Sequence, residues 1–419
     1  MAAGAKTARP SWHRSSIGTV GAIGGLYVAQ SVLGGLTWVG LPAVLREQGT
    51  DLSTIGLVSL IALPWALKFL WAPAVERYRL PHHGGDRSAL VVLAGIAVVV
   101  VSLGILGALP AAGLPWIFAL LSIAALATAT VDIACDGYAV QNLSKASQGW
   151  GNTAQVGGAY LGSAIGAGLF LVLVDRGGWA LGTWTVAALV ALLSLPFLLH
   201  ARTARFTGER THLPSLKAAL KRPEIRRGLL VAGVYILAQK TSFNMVAPYL
   251  IDRGVSLATV GLLSGTASIV LGIAGSFAGG WCVRRFGVRP VLALALLPQA
   301  LALGFLSLSA FTEAIPVWMI AGTALMATSG VMAFGFVALY TQFMRWSDPR
   351  QAGVDFTLFQ CMDGLVSLGG GAAAGFLAQH LGYDNFFAAA AMLALLAVPA
   401  VAVATQGGTG AAPGAPRPA

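Results

Sequence analysis

Thr128-Ala-Thr-Val-Asp132-Ile-Ala-Cys-Asp136-Gly-Tyr-Ala-Val-Gln141 sets two carboxylates four residues apart inside an otherwise apolar segment. On a helix that spacing puts both on one face. A carboxylate turned to lipid is costly, so this face must look into protein or water. The stretch predicts a helix held at the centre of a helical membrane protein.

Composition agrees. Of 419 residues 57% are hydrophobic and 10% charged, against roughly 25% charged in soluble domains. Apolar runs of about 20 residues or more recur along the whole chain, which predicts an all-α, polytopic membrane protein. Six spans are expected at 17–45, 53–73, 88–109, 114–141, 149–173 and 179–199, and six more at 228–250, 256–282, 290–310, 315–342, 353–378 and 385–404. The expected organisation is a cytoplasmic N-terminus (1–16), a six-helix bundle (17–199), a basic cytoplasmic linker (200–227), a second six-helix bundle (228–404) and a disordered tail (405–419) rich in Gly, Pro and Ala. The first apolar run is too long for a signal-peptide core and lacks a clear cleavage site, so a retained helix is expected.

Basic residues orient the chain. Of 26 Lys and Arg, three (Arg46, Arg176, Arg253) fall in loops on one side, two (Lys68, Lys240) fall within spans, and the remaining 21 fall on the other side. The positive-inside rule then places both termini in the cytoplasm. The net charge of +11 follows this topology and points to no nucleic-acid partner. Cys135, Cys282 and Cys361 lie in apolar segments and form neither a disulfide framework nor a metal-ligand spacing. No phosphate-binding loop occurs, and the six histidines fall in loops or at span ends. No enzyme activity, metal or cofactor is expected.

The halves repeat. Leu45-Arg-Glu-Gln-Gly-Thr-Asp-Leu-Ser-Thr-Ile-Gly-Leu-Val-Ser59 returns as Leu250-Ile-Asp-Arg-Gly-Val-Ser-Leu-Ala-Thr-Val-Gly-Leu-Leu-Ser264, with Gly49/Gly254, Leu52/Leu257, Thr54/Thr259, Gly56/Gly261 and Ser59/Ser264 in register. The same offset relates Gln155 to Gln360 and Gly177 to Gly382. Six helices and six helices in parallel repeat, joined by a basic loop, resemble the major facilitator superfamily over nearly the full length. The resemblance implies a central cavity lined by spans 1, 4, 7 and 10, flanked by spans 2, 5, 8 and 11, with spans 3, 6, 9 and 12 facing lipid.

Charge is distributed accordingly. Away from span ends it occurs at Lys68 in span 2, Asp132 and Asp136 in span 4, Lys240 in span 7 and Asp363 in span 11. Intramembrane ionisable groups mark functional sites or structural ion pairs. Lys68, Asp132, Asp136 and Asp363 are the candidate proton-coupling set, with a Lys68–Asp132 or Lys68–Asp136 salt bridge as the structural alternative. Lys240 is expected to pair with Asp363 or to meet an anionic substrate group. Gln30, Tyr27 and Trp38 share roughly one face of span 1 and are expected to contact substrate, together with Phe243, Asn244, Gln155 and Gln360. Ladders at Gly158/Gly162/Gly166, Gly275/Gly279 and Gly371/Gly375 predict close helix packing.

The loop after span 2, Trp71-Ala-Pro-Ala-Val-Glu76-Arg77-Tyr-Arg79 followed by Asp86-Arg87, occupies the place of the superfamily's cytoplasmic gating motif. Its pseudo-repeat is Arg284-Arg285-Phe-Gly-Val-Arg289. Glu76, Arg77, Asp86, Arg87, Arg284, Arg285 and Asp355, at the start of span 11, are the gate candidates.

Two segments narrow the resemblance. Leu67-Lys68-Phe-Leu-Trp71-Ala-Pro73-Ala-Val-Glu76-Arg77 and Asp132-Ile-Ala-Cys-Asp136-Gly-Tyr-Ala-Val are similar to the muropeptide-permease and acetyl-CoA-transporter branch. Leu-Pro-Ala-Val-Leu-Arg-Glu-Gln-Gly at the end of span 1 and Asp-Gly-Tyr-Ala-Val-Gln resemble its siderophore permeases, bacterial inner-membrane carriers of ferric pyochelin and rhizobactin. That implies a monomeric secondary transporter importing a ferric siderophore by proton-coupled alternating access. The alternatives are a permease for a muropeptide-like or acyl compound, drug efflux, or a non-transporting receptor on the same fold.

Overall fold

The computed structural model describes residues 16–50, 57–109, 113–201, 212–312 and 314–406. Expectations on the N-terminus before 16, on Leu52, Thr54 and Gly56, on Arg202, Arg205, Glu209 and Arg210 of the linker, and on the tail from 407 lie outside these residues, as do the side chains of Ser59, Leu257 and Ser264 and the packing at Gly371.

Nearly every described residue is helical, because a chain this apolar in lipid must satisfy its backbone within each segment. The elements are α1 (Ser16–Glu47), α2 (57–79), α3 (Ser88–Ala108), α4 (Leu114–Asn142), α5 (148–177), α6 (179–201), α7 (Pro223–Asp252), α8 (257–286), α9 (Val288–Phe311), α10 (Val317–Trp346), α11 (352–381) and α12 (383–406). Nine helices among the described residues are long and apolar enough to cross a membrane. Two continuous runs divide at a glycine: α5 and α6 at Gly178, with φ of 80°, and α11 and α12 at Gly382, with φ of 79°. A left-handed residue reverses the chain there, and glycine meets that conformation without a Cβ clash. The first of these turns is one residue beyond Gly177, the position that pairs with Gly382 in the sequence repeat.

The repeat is visible in backbone geometry. Gly49 and Gly254 have φ of 82° and 83°. Thr50 N bonds Leu45 O at 2.9 Å, and 205 residues later Val255 N bonds Leu250 O at 2.9 Å. Both are glycine-terminated helix ends of the Schellman type.

α1 packs on α5 and α6, and α3 on α4 and α6; α7 and α9 pack on the α11–α12 pair, and α8 on α10. The first six helices meet the last six chiefly where α5 faces α8 and where α2 and α4 face α11. α3, α6, α9 and α12 turn outward large apolar side chains such as Val101, Leu192, Leu301, Phe311, Leu396 and Val403.

Several helices lose regularity at one level. π-turns interrupt α1 at Leu36–Gly40, α5 at Ile165–Leu169, α8 at Leu263–Ala267 and α10 at Met326–Val331. α2 is segmented by 3-10 turns at Leu57–Ala62 and Lys68–Leu70, and α7 breaks at Thr241-Ser242. Such wide and tight turns re-aim the side chains that follow them, often at functional sites.

Candidate functional site

The 3-10 turn beginning at Lys68 carries its side chain into the protein, where it is 2% exposed. The Lys68 ammonium donates to Asp132 Oδ2 on α4 and to Gln360 Oε1 on α11, and so crosses between the two halves of the chain. Asp136, one turn along α4, is wholly buried. Its Oδ1 accepts from Tyr27 Oη on α1 at 2.7 Å and from Gln155 Nε2 on α5 at 3.3 Å. Its Oδ2 has no hydrogen-bond partner among the described residues.

A second set stands across from these. Lys240 closes the first stretch of α7, just before the break, and its Nζ donates to Asp363 Oδ1 at 2.6 Å and to Ser367 Oγ at 3.2 Å. The ammonium also lies 4.8 Å from the centre of the Phe336 ring. Tyr340 Oη donates to Asp363 Oδ2 at 3.2 Å.

Between the two sets lies a cavity of about 330 Å³, walled by α1, α2, α4, α5, α7, α10 and α11. Of the residues singled out in the sequence, Tyr27, Gln30, Trp38, Asp132, Gln155, Lys240, Gln360 and Asp363 line it. The remaining wall includes four aromatic rings: Trp65, which meets Trp38 edge-on at 5.4 Å, with Tyr160, Phe336 and Tyr340. Gln30 Nε2 and Gln155 Oε1 are buried without a partner among the described residues. Lys68 and Asp136 sit behind the wall, reaching it through Asp132 and Tyr27.

Phe243 and Asn244 depart from expectation. Both are exposed and neither lines the cavity. The break at Thr241-Ser242 resets the helical phase, so the face that carries Lys240 does not continue into the next stretch.

At the end of the molecule bearing the linker the halves are bonded shut. Glu76 Oε1 accepts from Gly353 N at 3.1 Å, Gln141 Nε2 donates to Pro349 O at 2.6 Å, and Asn152 Nδ2 donates to Thr341 Oγ1 at 3.2 Å. Glu76 is held by Arg79, which is fully buried and donates to both of its oxygens at 2.7 and 2.9 Å. Arg79 also donates to Gln141 at 2.9 Å, Ser88 at 3.1 Å and Asp86 at 3.4 Å. Asp86 Oδ1 accepts from Ser88 N at 2.7 Å. Asp355 is bonded by Arg222, by Gln351 at 2.7 Å and by the Asp348 amide at 2.8 Å. Asp348 in turn caps the short Pro349–Gln351 turn. Partial burial works against its charge, but the hydrogen bonds and positive charge of Arg350 prevail and keep its carboxyl below the usual range.

The other gate candidates sit outside this network. Arg77 Nε donates to Pro214 O at 2.9 Å, and Arg87 lies 5.5 Å from the Tyr78 ring. Arg284 and Arg285 are exposed, Arg285 lying 5.6 Å from the Phe286 ring, and neither forms an ion pair among the described residues. The repeat explains this: Arg284 corresponds to Arg79, but Trp281 stands where the first half has Glu76. The second copy lacks the acid. Arg79 is the gate residue the sequence reading passed over. Its spacing of three from Glu76, with both on one helix face, was the available signal. Trp65 left none, since its approach depends on the segmentation of α2.

A sequence model of the Major Facilitator Superfamily matches residues 228–417, and one named Acetyl-coenzyme A transporter 1 matches residues 23–112. The anhydromuropeptide permease of Escherichia coli (strain K12) is 27% identical over 357 residues, covering 83% of this chain and 72% of that protein. Among solved structures, the human organic anion transporter MFSD10 superposes with a TM-score of 0.72 at 14% identity, over 94% of this chain and all of that one. The major facilitator transporter FucP, in its outward conformation, gives 0.69 at 16% identity, over 95% of this chain and 99% of that one. The chain is thus a multi-pass membrane transporter with the all-helical major facilitator fold, related in sequence to the muropeptide permeases and to the acetyl-coenzyme A transporter family.

Proposed function

We propose that this protein carries an amphipathic metabolite bearing a carboxylate across the membrane by proton-coupled alternating access, and that an anhydromuropeptide-like glycopeptide is the substrate to test first. The observation that carries this reading is the cavity itself. It is sealed by hydrogen bonds at the linker end, walled in part by aromatic rings, and furnished with one partly exposed ammonium and the side chains of Gln30, Gln155 and Gln360. Aromatic rings suit sugar and peptide faces, the glutamine side chains suit their hydroxyl and peptide groups, and Lys240 suits an acid. The 27% identity to an anhydromuropeptide permease supports that substrate class.

In this reading Tyr27, Gln30, Trp38, Gln155, Lys240 and Gln360 contact substrate, and the coupling proton resides within the Asp132, Asp136, Lys68 and Asp363 set. The linker end is cytoplasmic, as the basic residues imply, and transport runs inward across a bacterial inner membrane with the monomer as the working unit. The two halves rock about a site at mid-membrane.

Import of a ferric siderophore is the second reading. It rests on the end of span 1, Leu41-Pro-Ala-Val-Leu-Arg-Glu-Gln-Gly49, and on Asp136-Gly-Tyr-Ala-Val-Gln141.

The deciding experiment is uptake into proteoliposomes under an imposed pH gradient, acidic outside, with radiolabelled anhydromuropeptide and iron-59-loaded siderophore in parallel. Glycopeptide accumulation that collapses with a protonophore is expected. Accumulation of the iron complex alone would transfer the conclusion to the second reading.

A further inference from the structure

The two buried ion pairs differ in one respect that matters for transport. Lys68 is walled in, with its side chain 3% exposed, and Gln360 of the opposite half is its second acceptor. Lys240 has a side chain 27% exposed, and its partner Asp363 is 12% exposed; both line the cavity. A ligand can reach the second pair but not the ammonium of the first. Lys240 also has support that does not depend on Asp363, namely Ser367 Oγ at 3.2 Å and the face of Phe336 at 4.8 Å. A cation over an aromatic ring retains part of its stabilisation when its carboxylate leaves.

Asp363 is equally provided for. Besides Lys240 it accepts from Tyr340 Oη at 3.2 Å and from Ser367 Oγ at 3.1 Å. Across the cavity the ionisable groups among the described residues are Asp132, Tyr27 and Tyr160, which line the wall, with Lys68 and Asp136 behind it. As it stands the Lys240–Asp363 pair is neutral. A substrate carboxylate entering alone would leave an uncompensated negative charge in a low-dielectric cavity beside Asp132, which is strongly disfavoured. A carboxylate entering with one proton leaves the charge unchanged.

We propose that Lys240 and Asp363 form a proton–carboxylate exchange site: the substrate carboxylate displaces Asp363 from the Lys240 ammonium while Asp363 takes up one proton. The proton comes from water on the open side and rests on a carboxyl oxygen of Asp363, next to Tyr340 and Ser367. When the substrate leaves on the other side, Asp363 gives up that proton and re-forms its bond to Lys240. One proton is bound for each substrate molecule whose carboxylate occupies the site, and each ligand strengthens the other by the same factor. This deepens the proposed function and rests on its carboxylate-bearing substrate.

The test uses purified full-length protein in detergent, with anhydromuramyl tripeptide and its carboxyl-methylated ester as probes. Binding is read by fluorescence, since Trp38 and Trp65 line the cavity. For the free acid, log Kd is expected to change by about one per pH unit over part of the range from pH 5 to 8, with tighter binding at lower pH, as one linked proton requires. For the ester the slope is expected to be flat. Asp363→Asn should bind the acid with no pH dependence, and Lys240→Gln should lose at least tenfold for the acid and little for the ester. A flat acid profile in the wild type, equal slopes for acid and ester, or a wild-type slope in Asp363→Asn overturns the proposal. The comparison of acid with ester needs no variant, so a misfolded variant does not remove the test.

A second arm, with acetate as the only added carboxylate, separates this proposal from the substrate reading. A carboxyl C=O stretch that appears when acetate is added to the wild type near neutral pH and is missing in Asp363→Asn supports proton uptake by Asp363 on displacement, and its absence overturns the exchange. If that band is present and neither probe binds at any pH, the glycopeptide assignment falls and the exchange stands.

Discussion

Asp132 and Asp136 share a helix, a face and a residue type, and their neighbours give them different work. Asp132 faces Lys68 and the cavity; Asp136 lies beneath Tyr27 with one oxygen unpartnered. A buried ion pair contributes little net stability, but removing one partner strands the other charge, at a cost of about 3–5 kcal/mol. Lys68→Met and Asp132→Leu are therefore each expected to lower the melting temperature in detergent markedly, and the double substitution to lower it less than either alone. A double variant as unstable as the sum of the singles would show the two groups to be independent. Sequence depth alone suggested both pairs, because Lys68 and Asp132 count to similar levels from their span ends, as do Lys240 and Asp363. The role of Gln360 was not legible. It reaches Lys68 from the other half of the chain, and no pattern local to α11 marks that meeting.

Glycine decides how near the elements approach. A Cβ built at Gly166 would collide with Val32 O, one at Gly162 with Val28 O and Ser31, and one at Gly275 with Gly330 O. The small-residue ladders of α5 and α8 are thus true contact lines, against α1 and α10 respectively. The third ladder behaves differently, since Gly375 faces only the end of Met245, at 3.8 Å. Gly166→Ala is expected to cost about 1–3 kcal/mol, the usual penalty for overpacking, read as a fall in melting temperature. Gly104→Ala, whose Cβ meets nothing within 4 Å, should be neutral or raise stability by up to about 1 kcal/mol through helix propensity. If the two substitutions behave alike, close backbone approach is not what fixes the α1–α5 crossing. The ladders were legible because their spacing is regular. The π-turns of α1, α5, α8 and α10 and the break in α7 were not, because apolar composition reads the same through a wide turn as through a regular one. Phe243 and Asn244 were misplaced for that reason.

At the scale of the whole molecule, the sealed linker end and the cavity imply each other: substrate can leave toward the linker only when the bonds between halves break. Those bonds are few, chiefly Glu76 to Gly353, Gln141 to Pro349 and Asn152 to Thr341. At about 0.5–1.5 kcal/mol each, they hold a preference of a few kcal/mol, within reach of what a ligand's differential affinity can reverse. The repeat suggested the division into two halves, and the basic loops suggested their orientation. The missing acid of the second copy can be read from the repeat, where Arg79 is matched by Arg284 but Glu76 by Trp281; that Glu76 bonds Gly353 of the opposite half had to be seen in structure. Among the described residues, Glu76 is the one side chain that both neutralises the buried Arg79 and bonds the opposite half. Glu76→Ala should release the Gly353 amide and leave Arg79 with only the more distant Asp86 for a carboxylate, which favours rehydration of that end and opening of the gap. Spin labels at positions 145 and 226, on opposite halves at the linker end, should report a longer-distance population in Glu76→Ala that is minor in the wild type. Arg87→Ala, which loses only its stacking on Tyr78, should leave the distribution unchanged. An unaltered distribution in Glu76→Ala would place the closure in the helix packing of α5 on α8 instead, where Thr153 Oγ1 donates to Ser276 O at 3.1 Å, and Gly280→Val would then be the substitution that opens it.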